Sequence, residues 1–232
     1  MSTLLLVGHG RMGRLVESLA PEHGFDVVGA IDSRSAAPGD WPDADVAIDF
    51  SVAGAVPATV ARLARQRTSI VIGTTGWQPH EAAVRSTAAA AGIGVVAAPN
   101  FAVGVNVFLA VVERVGALMA AQPSFGAWIH ESHHAAKRDA PSGTAIAIEQ
   151  RLRRQGYAAD VPIASTRAGS MPGTHTLGFD AASETLTFTH QARDRAAFAR
   201  GALLAARWVM GRTGWFTMSD VLNLSHSSAN ER

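Results

Sequence analysis

Residues 131–144 of this 232-residue chain read ESHHAAKRDAPSGT, which places two adjacent histidines, a lysine and a Ser-Gly-Thr turn within one short stretch. His133, His134 and Lys137 are side chains suited to giving or taking a proton. Pro141, Ser142, Gly143 and Thr144 lead into the helix-like AIAIEQRLRR, so the turn presents backbone N–H groups at a helix start. Such equipment suits a ligand that carries a carboxylate. Glu131 reads as a structural partner at a strand end, and His130 as an ordinary half-buried residue. Asp139 either pairs with Lys137 in the loop or orients it. A metal centre from His130, His133, His134 and Glu131 is not expected: neighbouring histidines diverge on a helix or a strand, no HExxH pairing is present, and the chain has no cysteine.

A second constellation stands at the start. Gly8, His9, Gly10, Arg11, Met12 and Gly13 form a GxGxxG pattern between an apolar run at 3–7 and a helix-like segment at 11–20. In that context the first glycine allows a tight turn and the second lets backbone approach a pyrophosphate. The third lets helix and strand pack closely. Asp32 follows the next apolar run, about twenty residues on, where a carboxylate accepts the ribose hydroxyls of a bound dinucleotide. Asp32 favours NADH, whereas Arg11 and Arg34 are placed to meet the 2′-phosphate of NADPH, so NADH and NADPH both remain as cofactors. A ligand-free glycine turn is the bland alternative, and the acidic residue in register argues against it. Two later loops, Gly73, Thr74, Thr75 and Gly76, then Ala98, Pro99, Asn100 and Phe101, are expected at the carboxyl ends of strands. There they line the nicotinamide half, with Asn100 as a polar anchor and Phe101 as a flat apolar wall.

The elements that would hold these groups are legible in the hydropathy. Val- and Ile-rich runs at 3–7, 26–31, 45–50, 69–72 and 92–97 alternate with Ala-rich helical segments at 11–20, 53–67 and 79–91. That order is the pattern of an α/β, Rossmann-type doubly wound parallel sheet. Residues 33–43, with Pro38, Gly39 and Pro42, read as a variable surface loop, and the tail SHSSANER as disordered. A hydrophobic content of 47% and a net charge of +1 fit a globular chain with small-molecule partners, and no basic stripe for nucleic acid stands out. The absence of cysteine fits a reducing compartment. The start MSTLLLVGHG is too short an apolar run for a signal sequence or membrane span.

GRMG near the start, DFS at 49–51, GTTG, APNFAVGVN and ESHHAAKRDAPSGTA occur together in one order, followed by RAGSMPGTHT, THQARDRAAFARGA and SDVLNL. In these blocks the chain resembles the 4-hydroxy-tetrahydrodipicolinate reductase family, formerly dihydrodipicolinate reductase, over nearly its whole length. The resemblance implies NADH- or NADPH-dependent reduction of a cyclic, unsaturated, imine-bearing dicarboxylate to tetrahydrodipicolinate, on the diaminopimelate route to lysine. It implies that His133 is the catalytic histidine and Lys137 the proton donor, with His134, Ser142, Gly143, Thr144 and Arg195 holding the two carboxylates. It further implies a dinucleotide-binding domain from 1–102 and 196–232. An α+β substrate-binding and oligomerisation domain from 103–195, built on a mostly antiparallel sheet, completes a cytoplasmic homotetramer. In that second half helices are expected at 105–120, after the SGT turn and at 196–209, and strands at 125–130, 163–167, 175–179 and 185–190. Two departures bear on cofactor choice: Ser33 stands where some members carry arginine, and the glycine loop is one residue short of their longer form. The rivals are a non-catalytic NAD(P)-binding sensor and a related amino-acid dehydrogenase.

Overall fold

The computed structural model describes residues 1–32 and 41–224. Most of the expected surface loop, with Ser33 and Arg34, and the tail at 225–232 lie outside the described residues. The chain forms two compact units, one from Met1–Val103 together with the segment from Arg195 onward, the other Gly104–Asp194.

The first unit is a six-stranded parallel sheet made from β1 (Ser2–Val7), β2 (Phe25–Ile31), β3 (Val46–Asp49), β4 (Ser69–Ile72), β5 (Gly94–Ala97) and β10 (Gly214–Phe216). Its order is β10-β5-β4-β3-β1-β2. Side chains alternate between the two faces of a strand, and here both faces are covered, which is why the central strands read as unbroken apolar runs. Leu4, Leu6, Val46, Ile48, Val71 and Val96 pack on one face, with Val16 of α1 (Arg11–Leu19) and Ala199, Ala202, Leu203 and Ala206 of α6 (Ala196–Val209). Leu5, Val7, Ala47, Ile70, Ile72 and Val95 pack on the other, with Val60 and Leu63 of α2 (Val56–Gln66) and Val84 and Ala88 of α3 (Glu81–Ala91). The closing helix α7 (Met218–Val221) starts in a capping box in which Thr217 and Asp220 satisfy one another.

In the second unit a four-stranded sheet of order β7-β6-β8-β9 is built from β6 (Gly126–His133), β7 (Ile163–Arg167), β8 (Gly173–Asp180) and β9 (Thr185–Ala192). β6 pairs parallel with β7 and antiparallel with β8, and β8 pairs antiparallel with β9. The helices of this half are α4 (Val103–Met119) and α5 (Gly143–Arg154). Gly116 of α4 lies against Leu152 of α5. Tyr157 closes the start of β6, its hydroxyl accepting the Ala127 N–H at 2.8 Å and donating to the Phe125 carbonyl at 2.7 Å. β6 runs three residues beyond the apolar stretch that marked it in the sequence. Backbone pairing with β7 carries it on, with His133 in register with Arg167 and the His133 carbonyl accepting the Ala168 N–H.

In the first unit α6 lies so close to the 98–101 loop that a Cβ on Gly201 would collide with the Phe101 carbonyl. Gly201→Ala should therefore lower unfolding free energy by roughly 1–3 kcal/mol. Gly54→Ala adds its methyl to open space. That control should stay within about 0.5 kcal/mol of wild type in urea denaturation.

Candidate active site

Period two along β6 carries one face from core to chemistry. Ala127 and Ile129 are buried opposite Phe179 and Leu177, and the same face continues with Glu131 opposite His175 and then His133 beside Arg167. The side chain of Glu131 has no solvent exposure. A carboxylate in such a place needs its charge matched and its oxygens hydrogen-bonded. Arg167 does both, with Nη2 donating to Oε1 at 2.6 Å and Nη1 to Oε2 at 2.9 Å. His133 Nδ1 lies 2.5 Å from Oε2, and the Ser142 N–H donates to Oε1 at 3.3 Å. Although burial opposes ionisation of Glu131, the hydrogen bonds from Arg167, Ser165 and His133 outweigh it and hold the carboxyl down at about 2.

An ionised Glu131 fixes the His133 ring: Nδ1–H points at the carboxylate, so Nε2 is the nitrogen left for a ligand. Burial pushes His133 below its ordinary value, an effect that Glu131 partly offsets and that Lys137 and Arg167 reinforce. His175 stands edge-on to it, with ring centroids 5.1 Å apart. It is 5% exposed and hydrogen-bonded through Nε2 to Ser142 Oγ at 2.8 Å; burial first, then neighbouring His133, drives it down to about 4. Glu131, His133 and His175 bring ligand atoms within 4.8 Å of one another. Because Arg167 already neutralises the carboxylate and occupies both its oxygens, that cluster reads as a hydrogen-bond network and not as a metal centre.

Lys137 sits in the turn after β6, its N–H donating to the His134 carbonyl at 3.1 Å. Lys137 Nζ pairs with Asp139 at 2.8 Å, so Asp139 is the loop partner of this lysine. At the start of α5 the Ser142 hydroxyl accepts the Ala145 N–H, and the Ser142 carbonyl accepts that of Ile146. Ser142 is 2% exposed, and its groups are taken up by Glu131, Ala145 and His175. It builds the helix start, where the N–H groups of Gly143 and Thr144 are left open. His130 is exposed rather than half-buried, and meets Thr166 Oγ1 at 3.1 Å.

In the first unit the glycine loop has the shape its pattern demands. Gly8 turns at φ +91° with its N–H donating to the Ile31 carbonyl, Gly10 faces open space, and a Cβ on Gly13 would strike the Gly8 carbonyl. Arg11, Met12 and Gly13 form the first turn of α1, which holds no acidic residue, so its N–H groups and dipole favour an anion. The His9 ring turns to Glu17 at 2.7 Å, leaving its backbone for this role. Asp32 follows directly on β2.

The two later loops also converge in this unit. Thr74, Ala98 and Pro99 line a cavity of about 170 Å³ together with Trp77, Arg85 and Trp215. The Arg85 guanidinium lies 4.3 Å over the Trp215 ring. Gly73 and Thr74 are tied to buried Asp49, their N–H groups to its carbonyl and the Thr74 hydroxyl to its carboxylate at 2.7 Å. Thr75 is exposed. Asn100 bends back to accept the Ala102 N–H. Phe101 is 2% exposed and stands edge-on to Phe50. Arg195 is exposed at the N-cap of α6 and belongs to the first unit. Sequence reasoning passed over Arg167 and His175; their signal was the period of two that places them beside His133 and Glu131 once β7 and β8 are paired to β6.

Residues 2–101 match the family model described as dihydrodipicolinate reductase, N-terminus, and residues 104–222 the one described as its C-terminus. A protein of Gluconobacter oxydans named 4-hydroxy-tetrahydrodipicolinate reductase is 40% identical over 92% of this chain and 94% of its own length. One of the same name from Christiangramia forsetii is 34% identical over 95% and 97%. Among solved structures, a dipicolinate-bound dihydrodipicolinate reductase from Paenisporosarcina sp. TG-14 superposes with a TM-score of 0.76 at 21% identity, covering 94% of this chain and 97% of that one. An engineered D-amino acid dehydrogenase bound to NADP+ reaches 0.56 at 16% identity, covering 98% and 97%. These two structural likenesses are of fold.

Because His175 titrates well below its ordinary 6.5, the unfolded chain binds a proton that the folded chain refuses between pH 6.5 and about 4. Stability from this group is complete above pH 6.5 and is lost as pH falls through that window, by on the order of 3 kcal/mol. His133 and His190 are lowered too and act in the same direction. Urea unfolding across this range should show the slope, and His175→Gln should flatten it; an equal slope in the variant would remove His175 as its source.

Proposed function

The chain belongs to the dihydrodipicolinate reductase family, and from that premise we propose that it reduces 4-hydroxy-tetrahydrodipicolinate to tetrahydrodipicolinate on the diaminopimelate route to lysine. The observation that carries the reading is that His133, Lys137 and an open helix start belong to one unit of a chain matched by both family models. A non-catalytic sensor and an amino-acid dehydrogenase are not favoured.

The dinucleotide is assigned to Gly8, His9, Gly10, Arg11, Met12 and Gly13, with Asp32 on a ribose, and Gly73, Thr74, Thr75, Ala98, Pro99, Asn100 and Phe101 toward the nicotinamide. Two observations favour the fit: the open space at Gly10 and the unpaired first turn of α1. NADH or NADPH supplies a hydride when bound.

The rest is chemistry of the chain's own groups. The N–H groups of Gly143 and Thr144 grip one carboxylate through dipoles rather than a full counter-charge, with His134 and Ser142 assigned to the same carboxylate. Arg195 is assigned the other carboxylate, for which a guanidinium has the matching fork. The substrate's hydroxyl leaves as water, and as the carbon–carbon double bond so formed is reduced, its electron pair shifts toward the imine nitrogen. Lys137 then gives its proton to the neighbouring carbon, which restores the C=N bond. In its imidazolium form His133 keeps Nδ1–H on Glu131 and donates from Nε2 to the negative charge that develops on the ring. We further propose a homotetramer in the cytoplasm, on the family resemblance; among the described residues no helix is long and apolar enough to cross a membrane.

Freshly made synthase product, mixed with the protein and either NADH or NADPH, should discharge the nicotinamide absorbance, and failure with both would end this reading. Lys137→Ala should lower kcat by roughly 10²–10⁴-fold with dinucleotide affinity unchanged. Parallel losses in the two would make Lys137 structural instead. Asp32→Ala should weaken NADH by roughly tenfold or more, and NADPH less. Equal weakening by fluorescence titration would take Asp32 off the ribose.

A further inference from the structure

Arg167 plays no part in the reaction as written, yet it is bonded to both sides of it. Through its two terminal nitrogens it holds both oxygens of Glu131, and that carboxylate holds His133 Nδ1. Nη2 also donates to the Asp139 carbonyl at 2.6 Å, and the Asp139 carboxylate holds Lys137 Nζ. Nη1 is anchored in turn on the Thr166 carbonyl at 2.8 Å. Parallel pairing of β6 with β7 sets Arg167 directly beside His133, so this reach depends on strand register and not on a flexible loop. We propose that Arg167 is a positioning residue that sets His133 and Lys137 relative to one another, holding the first through Glu131 and the second through the backbone of Asp139. The proposal rests on the reading of those two residues as the reacting pair.

Only an arginine fills the place. A guanidinium offers five N–H donors in a planar fork, enough for a bidentate carboxylate and two carbonyls, whereas an ammonium supplies the same charge at one point. Arg167→Lys therefore keeps the charge and loses the geometry, and Arg167→Met loses both. The charged and titratable groups facing His133 are Glu131, Lys137, Arg167 and His175; Glu131 raises its titration, while Arg167 and Lys137 lower it. The variants accordingly carry signs. His133 should titrate higher in Arg167→Met, lower in Glu131→Gln, and near wild type in Arg167→Lys.

The test measures kcat and KM for the imine, NADH affinity, and side-chain ¹⁵N titration of His133 in wild type and the three variants. We expect kcat to fall roughly 10²-fold in Arg167→Met and nearly as far in Arg167→Lys, since small displacements of reacting groups cost that much, with NADH affinity unchanged. Wild-type kcat in Arg167→Lys would overturn the proposal, as would an unmoved His133 titration in both Arg167→Met and Glu131→Gln. Should Arg167→Met not fold, Arg167→Lys and Glu131→Gln still decide the matter. A wild-type protein that binds NADH but reduces no imine would end the functional reading instead, and the signed shifts of His133 would then uphold or overturn Arg167's hold on that side chain.

Discussion

The burial of the Glu131 carboxylate is the constraint from which the second unit's active-site architecture follows. An anion without solvent needs a cation, and it needs its oxygens filled; removing one member of such a set typically costs about 3–5 kcal/mol. Arg167, His133 and the Ser142 N–H meet that demand from β7, from the end of β6 and from the start of α5. Satisfying one charge therefore fixes three elements against each other. The fixed geometry in turn selects the His133 nitrogen that remains for chemistry.

A comparable economy operates in the first unit, where the polar tie is Asp49. Its buried carboxylate takes the Ser51 N–H and hydroxyl and the Thr74 hydroxyl, while its carbonyl takes the Gly73 and Thr74 N–H groups. Two loops at the carboxyl edge of the sheet are thereby joined by a group that belongs to neither ligand nor core. Burial raises this carboxyl above its ordinary value, and the hydroxyls around it limit the rise. The α1 end of the sheet uses backbone instead, with glycines permitting contacts that any side chain would block.

Much of this was legible in the chain because the signals were periodic. β4 fell on residues 69–72 as read, since a strand buried on both faces can only be an apolar run, and α6 likewise on 196–209. What escaped was set by pairing between distant segments. The sequence pattern ends β6 at residue 130 and leaves Glu131 at a strand end and His133 in a loop, while the backbone of the strand continues through both. Arg167 lies 36 residues from Glu131, and His175 lies 33 from Ser142, separations that only a sheet register brings together. The burial of Phe101 and Ser142 is set in the same way, each side chain being packed by its own fold.

Beside the candidate site two ion pairs are closed. Glu131 cancels Arg167, and Lys137 cancels Asp139. What the open N–H groups of Gly143 and Thr144 themselves offer an anion is thus a set of aligned dipoles. A dipole field dies away faster with distance than that of a net charge, so capture by these groups relies on contact rather than on guidance from afar.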